Sequence, residues 1–155
     1  MVCTIFRLEK YKFYRLDEED QEPVEDSIPL GYYTNTKKLN EIIQSCLDHG
    51  MKKDDLRITN FKVNLRKNQK YIYELNYSYT VFLDPEKEYY VDYDYVFEPK
   101  SNRRDCMKLK LELLQNKKYQ KTSEKIYSTN SDDGFTIEKY ELNEMYNYLV
   151  VFNNS

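Results

Sequence analysis

Hydrophobic positions recur along this chain with two different periods, and the changes of period divide it into elements. From residue 71 to 83 the odd positions read Tyr, Tyr, Leu, Tyr, Tyr, Val and Leu, while Glu74, Asn76, Ser78 and Thr80 occupy even ones. A period of two with one polar side is the pattern of a half-buried strand. Asp84-Pro85-Glu86-Lys87 is turn chemistry, and residues 89–97 return with Tyr, Val, Tyr, Tyr and Phe at odd positions, which predicts a hairpin. Elsewhere the period is helical. Leu39, Ile42, Ile43, Cys46 and Leu47 stand at i, i+3, i+4, i+7 and i+8, behind Thr34 or Asn35 as cap and before Gly50 as stop. A second helix is predicted over residues 101–118, opened by Pro99 and Ser101. Its apolar positions form one line at Met107, Leu111 and Leu114 and a second at Cys106, Leu109 and Leu113.

The same order of elements occurs twice. Residues 3–16 read as a long strand whose apolar phase slips near Glu9-Lys10, predicting a bulge or bend there. Residues 28–33 form a short strand in which Pro29 marks a start or an edge, and residues 56–65 form a third. Ile5, Leu8, Leu16 and Asp17 align with Ile72, Leu75, Leu83 and Asp84. Thr59, Lys62 and Leu65 align with Thr136, Lys139 and Leu142 in the third strands. Residues 125–129 are expected to pair with 135–142 across Asn130-Ser131-Asp132-Asp133-Gly134. Residues 146–152 predict a closing strand, or a short helix starting near Asn143. The expectation is an α+β fold: a Tyr-rich, mostly antiparallel sheet from two degenerate β-β-α-β units, with both helices packed on one face. The halves fall at about residues 1–66 and 70–155 of one domain.

Composition sharpens this picture in three ways. A length of 155 residues is enough for one core without staples. With 17 Tyr against 7 Phe and no Trp, the sheet should be partly solvated, because Tyr combines a strand-compatible ring with a polar tip. A net charge of −3 argues against wholesale electrostatic binding to nucleic acid or anionic lipid. Cys3, Cys46 and Cys106 are odd in number and widely spaced, which fits a reducing cytoplasm. No charged-then-apolar leader opens the sequence and no apolar run is long enough for a bilayer, so a cytoplasmic protein without membrane attachment is expected.

Catalytic constellations are sparse. His49 is the one histidine and sits at a predicted helix end, where its charge would meet the helix dipole. There is no Gly-x-Ser-x-Gly elbow, no Gly-rich phosphate loop and no close Cys/His spacing. Asp92 and Asp94 share one side of a strand and, with Glu74 opposite, predict a carboxylate cluster or simply the wet side of the hairpin. Asp132-Asp133 is read as turn chemistry. Residues 17–26 carry seven carboxylates and no base, led by Asp17, Glu18, Glu19 and Asp20. Residues 100–125 are basic instead, with Arg103, Arg104, Lys108 and Lys110 on the predicted helix.

Two stretches carry a family resemblance. Leu30-Gly31-Tyr32-Tyr33-Thr34-Asn35 precedes the first helix, and Gly134-Phe135-Thr136-Ile137-Glu138-Lys139-Tyr140-Glu141-Leu142-Asn143 comes late in the chain. Together they resemble a small bacterial α/β domain family of Firmicutes and their mobile elements. That family shows an Ile/Leu-Gly-x-Tyr motif before an amphipathic helix and a Gly-Phe-x-Ile-x-x-Tyr-x-Leu motif after it. Here the motifs lie far apart, in different copies of the repeat. The resemblance implies a small mixed fold and no activity.

The functional expectation is a non-enzymatic protein-binding module, such as an inhibitor, immunity or accessory protein of a mobile element that occludes a partner surface, without cofactor or metal. Its candidate residues are Asp17, Glu18, Glu19, Asp20, Glu74, Asn76, Tyr90, Asp92 and Asp94, the ingredients of an aromatic hot spot with a polar rim. A homodimer would use the same face. The alternatives are a nucleic-acid-binding accessory using Arg103, Arg104, Lys108 and Lys110, and a metal-dependent enzyme at Asp92 and Asp94.

Overall fold

The structure, a computed structural model, describes residues 1–14, 24–84, 86, 89–128 and 130–152. The acidic candidates Asp17, Glu18, Glu19 and Asp20 therefore lie outside the described residues. The chain forms two compact units, one of Met1–Lys70 with the segment from Tyr140 onward, the other of Tyr71–Lys139. The C-terminal segment thus belongs with the first half of the chain, whereas the repeat pattern assigns it to the second.

In the first unit, β1 (Val2–Tyr14) lies between β2 (Val24–Tyr33) and β3 (Leu56–Asn64), both antiparallel to it. The bulge expected near Glu9 is present, but the extra residue is on the other strand. Leu8 pairs with Gly31 and Glu9 with Pro29, so Leu30 is left without an opposite partner and is buried in the core. Gly31 makes this geometry accessible. Its φ of 127° lies in the region that disfavours side chains, and a Cβ there would collide with the Glu144 carbonyl oxygen.

Helix α1 (Thr36–Asp48) follows, capped by Asn35, whose side chain accepts from the Lys38 amide at 3.2 Å. It ends in a Schellman motif, with the Gly50 amide donating to the Leu47 carbonyl and the Met51 amide to the Cys46 carbonyl. Leu39, Cys46 and Met51 from this helix and its cap pack on Leu8, Leu30 and Tyr33 of the sheet and on Val151.

The last of these contacts comes from α3 (Tyr148–Phe152), the short helix that residues 146–152 adopt in place of a closing strand. The chain before it is held by side-chain and backbone hydrogen bonds to β2 and the start of α1. Asn143, at φ 65°, receives the Thr34 amide at 2.9 Å and the Asn35 amide at 3.0 Å, while its own amide donates to the Tyr32 carbonyl. Tyr146 donates its amide to the Leu30 carbonyl, and the Asn147 side chain donates to the Pro29 carbonyl at 2.7 Å. The ends of the two motifs that are far apart in sequence therefore meet, and Tyr32 packs edge-on against Tyr140 at 5.2 Å.

The second unit repeats the strand order. β4 (Tyr71–Asp84) lies between β5 (Tyr89–Val96) and β6 (Phe135–Glu141), whose last residues pass into the first unit. The strands are thus divided between two three-stranded antiparallel sheets, with one long helix for each. Helix α2 (Arg103–Leu113) is capped by Asn102, which accepts from the Asp105 amide at 2.9 Å, rather than by Ser101. Its buried line is Cys106, Leu109 and Leu113, joined by Leu114, on Leu75, Tyr77 and Phe135. Met107 and Leu111, expected on an apolar line, face solvent, with Leu111 61% exposed. Two apolar lines span more of a helix than one three-stranded sheet covers, and the line that begins at the fully buried Cys106 is the one packed on it.

Among the described residues of the segment expected at 125–129, residues 125–128 do not pair with β6. Ile126 instead exchanges both backbone hydrogen bonds with Thr80, each 2.9 Å, extending the edge of β4 beyond the point where Gly134 meets Ser78.

Replacing Asn143 by Ala leaves the Thr34 and Asn35 amides without their acceptor. We expect a loss of roughly 1–3 kcal/mol in urea unfolding, with Asn143→Asp, which keeps the acceptor, close to the parent.

Candidate functional site

Burial along β4 is graded rather than uniform. Ile72, Glu74, Leu75 and Tyr77 are buried, whereas Ser78, Phe82 and Leu83 are exposed. Glu74 therefore does not belong to an open carboxylate surface: it is 2% exposed. Alternation shows which side of a strand a residue occupies, but not how far along the strand that side is covered. Asn76 stands at the boundary, half-buried, with its Oδ1 enclosed and without a hydrogen-bond partner among the described residues.

Beyond Asn76 the even side of the β4–β5 hairpin is open and ordered by cross-strand pairs. Ser78 lies opposite Asp94, and its hydroxyl donates to the carboxylate at 2.8 Å. Thr80 lies opposite Asp92 and donates at 2.6 Å. Phe82 and Tyr90 form the next pair, ring on edge at 6.0 Å, and are 47% and 55% exposed. Asn76 opposite Val96 closes the row at the other end. Asp92 and Asp94 thus keep part of their acceptor capacity and have no ion pair among the described residues. With Tyr90 they are the candidate residues that the fold brings together, and Phe82 and Ile126 are exposed neighbours that the strand pattern alone did not single out. Shallow, open depressions flank Ile126, one lined by Val81, Phe82 and Leu83, the other by Thr80, Asp92 and Asp94.

The opposite side of the hairpin is an aromatic cluster. Tyr77, fully buried, contacts the rings of Tyr79, Tyr95, Tyr119, Tyr127 and Phe135. Its hydroxyl lies 3.1 Å from that of Tyr127 and receives a hydrogen bond from Lys125 Nζ, also at 3.1 Å. Lys125 also donates to the Lys118 and Gln120 carbonyls, so its ammonium is a tie for the polar loop, not a free cation. Lys118 sits over Tyr95 at 4.6 Å.

The basic helix is likewise divided by its surroundings. Lys110 pairs with Asp133 and lies over Phe135, so it is not part of an open basic face. Asp133 itself completes the turn expected there, accepting from the Phe135 amide at 3.1 Å. Desolvation raises the Asp133 pKa, but the hydrogen bonds from Lys110 and Phe135 outweigh it and hold the carboxyl below its ordinary 3.8. Arg103, Arg104 and Lys108 remain exposed, beside Met107 and Leu111 instead of the tyrosines that base stacking would use. His49 donates from Nδ1 to the Ser45 carbonyl at 2.8 Å and packs on Phe152, a structural role at the helix end. Among the described residues, no three His, Cys, Asp or Glu side chains come together to hold a metal ion. Glu74, Asp92 and Asp94 thus do not assemble as the strand pattern allowed.

Compared with known proteins, the chain matches no family model, no curated protein and no solved structure. No helix among the described residues is long and apolar enough to cross a membrane. A reading of function therefore rests on the geometry of this surface.

Burial, reinforced by Tyr95, pushes the Tyr79 phenol up to about 12, and burial with the Tyr77 hydrogen bond pushes Tyr127 up to about 12. A phenol whose folded pKa exceeds its unfolded value stabilises the fold below the unfolded value, and this is lost as pH rises through the folded one. We expect stability to fall between pH 10.0 and about 12, followed by tyrosinate absorbance and circular dichroism. Tyr127→Phe should make that decline shallower; native tyrosines all titrating together at 10.0 would contradict the packing.

Proposed function

We propose that this chain is a non-enzymatic protein-binding module whose working surface is the open side of the β4–β5 hairpin. One observation carries the reading: Phe82 and Tyr90 stand exposed as a ring pair directly beside the cross-strand pairs Thr80–Asp92 and Ser78–Asp94. Exposed aromatic rings rimmed by oriented polar groups are the composition of an interface core and its border. The hydroxyl bonds fix the carboxylates in place, so little side-chain entropy remains to be lost on binding.

Such a module acts by covering a partner's surface. The narrower role we infer, an inhibitor, immunity or accessory protein of a mobile element, draws its support from the exposed ring pair and the carboxylates beside it. A cytoplasmic setting is supported by Cys3, Cys46 and Cys106, which are all unpaired. Burial raises the thiol pKa of Cys46 and Cys106, the latter to about 11, which keeps both unreactive.

The test is affinity capture from a bacterial lysate with the parent chain and with a Phe82→Ser, Tyr90→Ala variant, each with and without nuclease. We expect a specific protein to be retained by the parent after nuclease treatment and depleted about tenfold or more on the variant, the scale of a lost aromatic anchor. Retention that the parent and the variant share would place the interface elsewhere. Retention that vanishes with nuclease and with Arg103→Ala, Arg104→Ala would assign the chain to nucleic acid instead.

A further inference from the structure

We propose that β5 binds an extended segment of a partner protein by strand addition, and that this segment carries Lys or Arg at every second position. The inference rests on the hairpin being a protein-binding surface, and it specifies the mode of docking and the chemistry of the partner.

The direction of the backbone groups is the first argument. The Phe97 amide donates to the Leu75 carbonyl, so the odd residues of β5 exchange their bonds with β4. The amides of Ser78 and Thr80 point the other way, to Gly134 and Ile126. Asp94 and Asp92, their opposite partners, therefore turn their own N–H and C=O groups away from β4, as do Tyr90 and Val96. Since β5 is the outer strand of its sheet, these groups form an unpaired edge, and no other backbone bond reaches them among the described residues.

Comparison with the other outer strands is the second argument. An edge is ordinarily guarded by Pro, a bulge, charged side chains (Lys above all) or shortness. β2 has Pro29 and the bulge at Leu30, β3 has Arg57 and Lys62, and β6 is the shortest strand and carries Lys139. The described length of β5 reads Tyr-Tyr-Val-Asp-Tyr-Asp-Tyr-Val, with no Pro, Lys or Arg, and the one irregularity in its pairing lies on β4 between Phe82 and Asp84, so its guard is negative charge alone. Its only charges are Asp92 and Asp94, which lie on the same side and are the residues with outward backbone groups.

That coincidence selects the partner. In an added antiparallel strand, the residues exchanging bonds with Asp92 and Asp94 place their side chains beside the two carboxylates, two positions apart. Lys or Arg there pairs with both. The alternate residues fall beside Tyr93, which is stacked on Tyr79 at 5.0 Å, and are expected to be apolar or aromatic. A second copy of this chain is disfavoured by the same geometry. Registers that pair β5 with itself along most of its length place carboxylates opposite or diagonal to carboxylates.

The test uses the full chain and a displayed library of random ten-residue peptides. Enriched peptides should carry Lys or Arg at i and i+2, and synthetic versions should bind Asp92→Asn, Asp94→Asn about tenfold more weakly. N-methylation of alternate peptide amides should abolish binding. Asp94→Pro should do the same while leaving the fold intact by circular dichroism and thermal melting, because the Asp94 amide has no partner on β4. If that variant fails to fold, Asp92→Lys, Asp94→Lys serves instead, with selection shifting to acidic peptides. No enrichment, enrichment without alternating bases, or binding indifferent to backbone methylation would overturn the proposal. So would a concentration-dependent dimer abolished by Asp94→Pro, which would give the edge to a second copy. A lysate partner lost with Phe82→Ser, Tyr90→Ala but indifferent to Asp94→Pro would leave the hairpin as the interface and remove strand addition alone.

Discussion

A strand in the middle of a sheet has to satisfy two backbone edges, and most of what is distinctive in this chain follows from how β4 does so. One edge is met by β5 through a direct hairpin. The other is shared by β6 and, farther along, by Ile126 from the loop after α2. Lys125, next to Ile126, ties the segment after α2 to the aromatic cluster through the Tyr77 hydroxyl and the Lys118 and Gln120 carbonyls. The odd side of the hairpin is thereby covered, while among the described residues the even side beyond Asn76 and the outer edge of β5 have no covering element.

Tyrosine suits this division of labour. A buried phenol needs a partner for its hydroxyl, and the cluster supplies partners internally, from Tyr77 to Tyr127 and from Lys125 to Tyr77. On the open side the same residue type does the opposite task, with the Tyr90 ring packed against Phe82 and its surface left to solvent. One residue type thus serves as core on one side of the hairpin and as exposed ring surface on the other.

The first unit shows the complementary solution. Its middle strand, β1, is met along both edges by strands, β3 in unbroken register and β2 with the irregularity, where Leu30 turns inward and Gly31 lets the Glu144 carbonyl approach. The C-terminal segment then docks by side-chain bonds and two isolated backbone bonds rather than by a strand ladder, with Asn143 and Asn147 in left-handed conformations that Asn tolerates better than most residues.

Periodicity alone determined the local elements: the hairpin of β4 and β5, the apolar stripe and caps of α1, the slip in β1 and the doubled order of strands and helix. These are local properties, set by side-chain spacing of two or 3.6 residues and by cap chemistry at neighbouring positions. It also placed Tyr90, Asp92 and Asp94 on one side of one strand. Everything that depends on what covers an element was decided in three dimensions. Alternation could not show that Glu74 is buried while Asp92 is open, because both occupy even positions of the same hairpin. Charge counting could not show that Lys110 is committed to Asp133 and Lys125 to the tyrosine cluster. Nor could it show that residues from Tyr140 onward return to the first unit, or that the strands divide into two sheets, since pairing depends on contacts between distant residues. The open edge of β5 belongs to the same class, because a strand is an edge only through the absence of a neighbour, and tertiary structure alone decides where the neighbours lie.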